Sequence, residues 1–586
     1  MLQECIEIFK EQMEKEAKAG RDIILDEYRP AEGDYIIVKK DGSLMSCSIK
    51  EDKKKKTMEG INESDSLYRD ICFYDYHSRL ISMNKPQDSK IVHSNNYMSF
   101  WVKYESFDNG KLDVQAIDRY FDVLINPREK YKNADRVMYD FIYQQIGDVD
   151  TQQLESNRKW IKENIFQLDK TELNLQKKKY LKIFFEDDRD TYIREEKRYV
   201  MTKIYNKNDY NIEINNNMYG LPNDNLGLNS KKPYLEHKTR KLPVPNLIDV
   251  KQVLLQRKFF DFLANKANAG LTNVFFENES REITAYPNGE FEKGDFSGYF
   301  LQIQKGKSVL IKYQDTIVDY RYNLQKNFVL KKILNWTPNK NSTQSNNVYE
   351  NYYDTYADKN KIFTVLDDVL FFKCLKRNLF NDVEDIMVDN PCIKRNIIMS
   401  RDIIFAWIYK GQKNGAQNVI KNVGIDIIKN SINAGYMGKA VLQFNMLASF
   451  EEYFGGEDMK NKYSEIRSSI KTKINSNDYQ VCESDDEYLY AVGQLIRYFV
   501  SLSKIKDKAH SLANPFLSCT DSKQLAKKLE HYFKKYNYNY KVSDKRSNKL
   551  YTLVSNYEYD KKIDTTMVIA GYISDNLVYE SDKEEN

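Results

Sequence analysis

The spacing of apolar residues changes from a mixed pattern in the first half of the chain to a helical pattern in the second half. Beyond residue 360, apolar positions recur every three or four residues, so that Leu489, Val492, Leu495 and Phe499 would form one face of a helix. This spacing predicts a bundle of amphipathic helices. The predicted helices are 439–453, 461–474, 485–503, 522–535 and 545–557, with one more near the end of the chain.

Strand patterns alternate with helical ones in the first half. Residues 34–39 (DYIIVK) read as a strand, the Asp41-Gly42 pair as a turn and residues 44–49 as the returning strand. Helical spacing covers 113–124 and 134–145, and a helix is predicted to begin at Asp249. Two polar segments are interpreted as loops: the lysine run 53–56 as an exposed tip, and 206–225 as a connector rich in Asn and Asp.

These patterns predict an α+β protein, with a mixed α/β N-terminal body and a mainly α-helical C-terminal half that ends in a bundle. The polar, asparagine-rich segment 337–360 is the predicted boundary between the halves. The predicted domains are 1–216 as an α/β region, 217–336 as a basic loop, helix and hairpin region that completes the body, 337–360 as a linker, 361–436 as a helical connector and 437–586 as the bundle.

Composition places the chain among globular proteins with several domains. It has 586 residues, of which 41% are hydrophobic, and a formal net charge of +4. No apolar run approaches the roughly 20 residues needed to cross a bilayer, and the N-terminus shows no signal-peptide pattern. The 7 cysteines are scattered without a C-x-x-C pair, which favours a reducing compartment and predicts no zinc module. We therefore expect a cytoplasmic protein.

The most informative segment is residues 227–241, which read GLNSKKPYLEHKTRK. From residue 231 to residue 241 there are four lysines and one arginine against one glutamate, a net charge of +4 that equals the charge of the whole chain. Such a local basic block is typical of phosphate binding. The predicted nucleic-acid contacts are Asn229, Lys231, Lys232, His237, Lys238, Arg240 and Lys241.

The surroundings of this block predict a long irregular loop. Pro222, Pro233, Pro243 and Pro245 prevent a helix or a central strand from running through it. Apolar residues along the segment favour an ordered path, and long ordered loops are usually functional. In the helix that follows, Lys251, Arg257 and Lys258 would extend the positive patch. The alternative interpretation is a solvated surface loop.

The same segment closely resembles a signature of the large-subunit family of type I-B CRISPR interference complexes, the RNA-guided Cascade assemblies. The matching residues are Gly227, Leu228, Asn229, Lys231, Lys232, Pro233 and Tyr234, followed by the basic tail through Lys241. This detailed match covers a short part of the chain. Elsewhere the likeness is architectural, in the length and in a helical C-terminal region that closes on Ala570-Gly571-Tyr572.

The resemblance implies a non-catalytic, antiviral-defence subunit that lies near the 5′ end of the guide RNA. Such a subunit reads the short motif beside the target, helps to open the double-stranded DNA and recruits a separate helicase–nuclease in trans. Its partners would be the guide RNA, the target DNA and the backbone and small subunits of the complex. The resemblance also implies that the C-terminal bundle is similar to the small subunit, for which Met437, Met446 and Met459 are possible internal starts.

A second group of candidate contacts lies at a predicted hairpin tip. Strands at 299–304 and 309–313 flank Lys305-Gly306-Lys307, where Lys305 and Lys307 could touch a nucleic-acid backbone; a plain surface turn is the alternative. The triplet Gly306-Lys307-Ser308 ends like a phosphate-binding P-loop. That motif needs a glycine where Leu301 stands and a helix where a strand is predicted, so no nucleotide cradle is indicated.

A third group lies near the C-terminus, where residues 531–541 (HYFKKYNYNYK) alternate lysines with tyrosines. Bases stack on aromatic rings while lysines follow phosphates, so Lys534, Lys535 and Tyr536 are candidate contacts for a displaced strand. The alternative is the tyrosine-rich surface of a helical bundle.

The sequence gives little support to an enzyme. None of the five histidines is followed by aspartate, and no H-E-x-x-H metal motif is present. Asp187, Asp188, Asp190, Glu195 and Lys197 are too closely spaced for a carboxylate–lysine nuclease motif and are interpreted as a solvated helix. We predict no catalytic residue, metal or cofactor. A free-standing metal-dependent nuclease and a stand-alone nucleic-acid-binding scaffold stay open as alternatives.

Overall fold

The structure is a computed structural model that describes residues 1–52, 57–79, 91–168, 179–223, 247–306, 308–337, 347–503, 510–536 and 545–580. Over these residues the protein is α+β, as expected from the sequence. The chain divides into two compact units, the first formed by Met1–Pro287 with Tyr299–Asp315 and the second by Asn288–Gly298 with Thr316–Asn586.

The helices of the first unit carry apolar residues on the faces that cover its sheets. Asp113, Asp150 and Asp249 cap three of these helices by accepting a hydrogen bond from a backbone N–H in the first turn. The helices are α1 Leu2–Lys18, α2 Ser66–Ser78, α3 Tyr104–Asp108, α4 Val114–Ile125, α5 Pro127–Lys130, α6 Asn133–Ile146, α7 Thr151–Asn164, α8 Arg189–Val200 and α9 Val250–Asn268.

The strands numbered from the N-terminus form three sheets. Their bounds are β1 Gly33–Val38, β2 Leu44–Asp52, β3 Thr57–Glu59, β4 Ser99–Lys103, β5 Tyr180–Phe185, β6 Ile212–Ile214, β7 Asn217–Gly220, β8 Ile248–Asp249, β9 Leu271–Glu277, β10 Ile283–Pro287, β11 Phe296–Gln304 and β12 Leu310–Tyr320. The sheet orders are β3-β2-β1-β5-β4, β10-β9-β11-β12 and β6-β7-β8. The predicted hairpins at 34–49 and 299–313 are therefore confirmed, as are the helices at 113–124 and 134–145.

The largest core of the first unit surrounds the five-stranded sheet. β1 and β5 run parallel, and nearly all of their residues are buried, which explains their continuous apolar sequences. A second core packs α1 and α9 against β9 and β11. A third lies among α6, α8, β7 and the start of α9.

The second unit is mainly helical. Its remaining strands are β13 Asn323–Val329 and β14 Thr355–Asp358. Its helices are α10 Asn347–Glu350, α11 Lys359–Leu370, α12 Pro391–Lys410, α13 Ala416–Asn433, α14 Met437–Gly455, α15 Met459–Asn475, α16 Asp485–Ser501, α17 Asn514–Leu517, α18 Ser522–Tyr536, α19 Lys545–Ser555 and α20 Thr565–Ile573. The predicted C-terminal helices are confirmed within a few residues. α14 and α20 are buried nearly all round, so they form the interior of the unit.

Two features differ from the expected organisation. The chain passes between the units after Pro287, Gly298 and Asp315, whereas the sequence predicted a boundary at 337–360. Residues 338–346 lie outside the described part, but β13 pairs with β14 across this segment, which keeps its described flanks within the second unit. The predicted polar connector 206–225 also contains paired strands, β6 and β7.

Among the residues that the structure describes, none of the helices has both the length and the apolar character that a membrane crossing requires.

Candidate nucleic-acid interface

The described residues on either side of the basic segment are held close together on the first unit. Residues 224–246, which include Asn229, Lys231, Lys232, His237, Lys238, Arg240 and Lys241, lie outside the described part of the chain. Gly220, on the N-terminal side of the segment, pairs with Ile248, on its C-terminal side, in the antiparallel strands β7 and β8. The two flanks of the segment therefore meet in one small sheet.

Backbone and side-chain hydrogen bonds reinforce this attachment. The Tyr205 hydroxyl donates to the Met218 carbonyl at 2.8 Å and lies 3.1 Å from the Ile248 carbonyl. The N–H of Asn223 donates to the Ile204 carbonyl at 2.9 Å. A Cβ added at Gly220 would lie 2.5 Å from the Tyr205 ring, so this close approach requires glycine. A segment whose two flanks are fixed in this way loses less entropy on binding a ligand than a segment with free ends.

The helix that follows the basic segment presents only part of its positive charge to solvent. α9 begins after Asp249, as predicted, and Lys251 and Lys258 are exposed. Arg257 is 8% exposed, which contradicts its assignment to the positive patch. Its guanidinium Nη2 donates to Glu196 Oε1 of α8 at 2.5 Å. The surface patch on α9 is therefore formed by the two lysines alone.

Glu196 forms the centre of a buried charged network in the first unit. Its second oxygen, Oε2, lies 2.5 Å from His77 Nδ1 of α2. Burial alone would raise the pKa of Glu196, but the positive Arg257 and the hydrogen-bonded His77 outweigh burial and hold this pKa at about 2. The carboxylate is therefore ionised at neutral pH and neutralises charge inside the protein.

The network continues through α9 to the residue that follows α2. Asp261 accepts a hydrogen bond from the Tyr76 hydroxyl at 2.7 Å, and Arg79 Nη2 lies 2.7 Å from the same carboxylate oxygen. The Arg79 guanidinium also stacks over the Tyr76 ring, 4.1 Å from its centroid. These contacts fix the position of Arg79, whose guanidinium borders a cavity.

This cavity, which we call the first-unit cavity, has a volume of about 540 Å³. Its wall includes Arg79, His93, Trp101, Tyr180, Lys182 and Lys305. Lys305 lies at the exposed tip between β11 and β12, so one of the two hairpin lysines borders a concave surface. Lys307 lies outside the described residues. The P-loop interpretation is excluded because the strand β12 follows the tip.

Two residues that line the first-unit cavity, Trp101 and Lys182, lie on neighbouring strands of the five-stranded sheet. Lys182 of β5 is flanked by Tyr35 of β1 and Trp101 of β4 in the same register. Its ammonium lies 3.9 Å from the Trp101 ring centroid and pairs with Asp75 of α2. Burial lowers the pKa of Lys182, while the attraction of Asp75 opposes this effect. Sequence reasoning missed this lysine, although a charge inside the apolar run YLKIFF was an available signal.

The C-terminal candidates are only partly presented to solvent. Lys534 is exposed and pairs with Glu530 at 2.5 Å. The Lys535 ammonium lies 5.2 Å from the centroid of the Tyr532 ring. Tyr536 is 4% exposed and its ring stacks against Phe499, so it does not offer a face to a nucleic-acid base. The tyrosines beyond residue 536 in this group lie outside the described residues.

The carboxylate cluster is solvated at Asp188, Asp190 and Lys197, as expected, but not at Glu195. In α8, Glu195 is 3% exposed and accepts hydrogen bonds from Arg198 Nε at 2.9 Å and Nη2 at 3.1 Å. Glu195 and Glu196 both point into the unit, because Arg198 and Arg257 supply buried partners for them. Within the described residues, no group of three or more His, Cys, Asp or Glu side chains could hold a metal ion.

Comparisons with models of protein families, with curated proteins and with solved structures gave no match to this chain.

Proposed function

We propose that the chain is the non-catalytic large subunit of a type I-B CRISPR RNA-guided surveillance complex. In this role it binds the end of the guide RNA and the target DNA, reads the motif beside the target, aids opening of the duplex and recruits a separate helicase–nuclease. The observation that carries the proposal is the basic signature at 227–241, which resembles that family. The proposal also includes backbone and small subunits as partners.

The attachment of the signature supports this role physically. The paired strands β7 and β8 bring both ends of the segment to one edge of a folded unit, while Lys251 and Lys258 lie exposed on the helix that follows. In RNA-guided recognition, base pairing reads the sequence while protein contacts read the adjacent motif and the backbone shape. A basic segment with fixed flanks suits contacts of that kind, because phosphates attract its charge.

The proposal is tested by substituting two lysines of the signature in the assembled complex. We expect Lys231→Ala with Lys232→Ala to weaken binding of target duplex. The slope of log affinity against log salt should decrease in magnitude by about 0.9 for each phosphate that the variant no longer touches. The measurement is a binding titration of target DNA at several salt concentrations.

A matched control removes the same charge elsewhere. Lys18 and Lys460 are exposed and form no ion pair with the described residues. Lys18→Ala with Lys460→Ala should leave the salt slope unchanged. Equal slopes for the signature variant and the original complex would contradict contact between this loop and the DNA backbone.

The alternatives predict different results. A metal-dependent nuclease would cut DNA or RNA when the purified chain is given Mg²⁺ or Mn²⁺, and substitution of Glu195 would abolish cutting. We expect no cutting, because Glu195 is buried and engaged by Arg198. A nucleic-acid-binding scaffold would bind targets equally well with and without the adjacent motif.

A further inference from the structure

Two residues that line the first-unit cavity each carry a buried hydrogen-bond donor without a partner among the described residues. Trp101 is 7% exposed, and its indole Nε1–H makes no hydrogen bond with the described residues. Arg79 Nε–H is also buried and has no acceptor among the described residues, although Nη2 of the same guanidinium lies 2.7 Å from Asp261. Because buried donors are almost always satisfied, two of them at one cavity indicate a missing acceptor.

Lys305 supplies a third donor at the wall of the cavity. Lys305 is exposed and forms no ion pair with the described residues. Two of the acidic groups at the wall are engaged, Asp75 by Lys182 and Glu32 by Lys179, while Glu51 lies exposed. Apart from Glu51, the charged groups left open at this wall are donors, which a ligand with acceptor atoms can satisfy.

The rest of the wall favours a ligand with a flat ring. The half-buried Tyr180 ring borders the cavity and is held in place by the edge of His93, with ring centroids 5.2 Å apart. Lys103 contacts the Tyr180 ring as well, with its ammonium 5.5 Å from the centroid. A partly exposed aromatic ring, fixed by its neighbours, offers a face on which a planar group can stack.

The volume of the cavity further limits the class of ligand that it can hold. The volume of about 540 Å³ lies within the range of roughly 300–1,000 Å³ that is typical of small-ligand sites. Such a volume accommodates one nucleotide and is too small for a stretch of duplex. A nucleotide also supplies what the wall lacks, because its phosphate carries acceptor oxygens and its base is planar.

We propose that the first-unit cavity binds a single nucleotide unit, with Arg79, Trp101 and Lys305 as donors to its acceptor atoms and Tyr180 as a stacking surface. The inference rests on the proposed function in one respect, the source of the nucleotide. That source is an unpaired position of the bound guide RNA or of the opened target strand.

The test measures binding of mononucleotides to the full-length chain by isothermal titration calorimetry. The probes are adenosine and uridine 5′-monophosphate, with uridine and inorganic phosphate as partial ligands. We expect saturable binding of one mononucleotide per chain, and weaker binding of both partial ligands. Lys305→Ala should weaken binding about tenfold because it removes a charged donor.

Two further variants make the test specific to the cavity. Trp101→Phe removes the indole N–H but keeps an aromatic ring, and should weaken binding about fivefold. Lys111→Ala removes an exposed charge away from the cavity and should leave binding unchanged. Thermal unfolding of each variant shows whether the fold is retained.

Three results would overturn the inference. These are no saturable binding of either mononucleotide, binding that neither Lys305→Ala nor Trp101→Phe weakens, and inorganic phosphate that binds as tightly as the mononucleotides. The assay uses the chain without its partners, so its outcome is separate from that of the proposed function. Mononucleotide binding by a chain that carries no guide RNA in cells would support the cavity and contradict the subunit role.

Discussion

Replacing Gly571 by alanine should separate two central helices of the second unit. α16 and α20 cross where Gly493 and Gly571 meet, and a Cβ added at Gly571 would lie only 2.1 Å from the Tyr490 carbonyl oxygen. Cβ contacts shorter than 3.0 Å are essentially never observed, so the helices must move apart by about 1 Å. Gln494 Nε2 now donates to the Gly571 carbonyl at 2.6 Å, and this buried hydrogen bond would be stretched.

The expected loss of stability follows from these contacts. Overpacking costs about 1–3 kcal/mol, and a weakened buried hydrogen bond adds about 1 kcal/mol. Against this, alanine gains roughly 0.5–1 kcal/mol over glycine within a helix. We therefore expect Gly571→Ala to lower the free energy of unfolding of this region by about 2–3 kcal/mol. Gly455→Ala is the control, because a Cβ there meets nothing within 4 Å.

Hydrogen exchange followed by mass spectrometry localises the effect. Buried amides of α16 and α20 should exchange about 30- to 150-fold faster in Gly571→Ala, which is the factor that corresponds to the expected loss of stability. Amides in the first unit should be unaffected, and Gly455→Ala should exchange at the original rate or more slowly. Unchanged exchange in α16 and α20 of Gly571→Ala would refute the close crossing.

Three more predictions follow from buried charges and from packing. Because the folded pKa of Glu196, about 2, lies below its ordinary value of 4.5, its carboxylate contributes about 3 kcal/mol above pH 4.5, and this is lost as the pH falls towards 2. The difference in unfolding free energy between the original chain and Glu196→Gln should therefore shrink between pH 5 and pH 2 in urea titrations; a constant difference would contradict this. Lys182→Ala should cost about 3–5 kcal/mol because Asp75 stays buried without its cation, and Lys182→Met with Asp75→Asn should cost less in the same assay; equal costs would argue against the pair. A fragment starting at Met437 keeps the interior helix α14 together with α15 to α20 and should give dispersed NMR spectra, whereas one starting at Met459 lacks α14 and should not; the reverse order would contradict this packing.

The elements that sequence predicted well are those with a strong local pattern of apolar residues. The strand β1 is a continuous apolar run that ends at the Asp41-Gly42 turn, and α16 has apolar residues at every third or fourth position. The boundary at 337–360 was not predictable in this way. A polar composition does not reveal that the flanking residues pair as β13 and β14.

The candidate contacts show a related limit. Arg257 follows Val250 and Val253 at helical spacing and precedes Asp261 by one turn, so the pattern already placed it on the buried face of α9. Tyr536 likewise continues the buried face of Leu529 in α18. The charge of Arg257 and the aromatic ring of Tyr536 favour the surface when considered alone. Their positions on the helices favour the interior, where both residues lie.

The first-unit cavity could not have been found by spacing, because it joins residues that are far apart in the chain. Trp101 and Lys182 meet only because β4 pairs with β5, and Lys305 reaches the same wall from the tip of a different sheet. The local sequence of the hairpin tip is enough to indicate Lys305 as a candidate. Which residues lie beside Lys305 at the cavity wall depends on strand register, which a single sequence does not specify.

The proposed role in an RNA-guided complex is best tested by isolating the tagged chain from its native cells and sequencing the RNA that accompanies it. We expect short RNAs of uniform length with a constant flank and a variable centre, recovered together with repeated backbone subunits. Recovery of the chain without such RNA and without partner subunits would contradict its role in an RNA-guided complex.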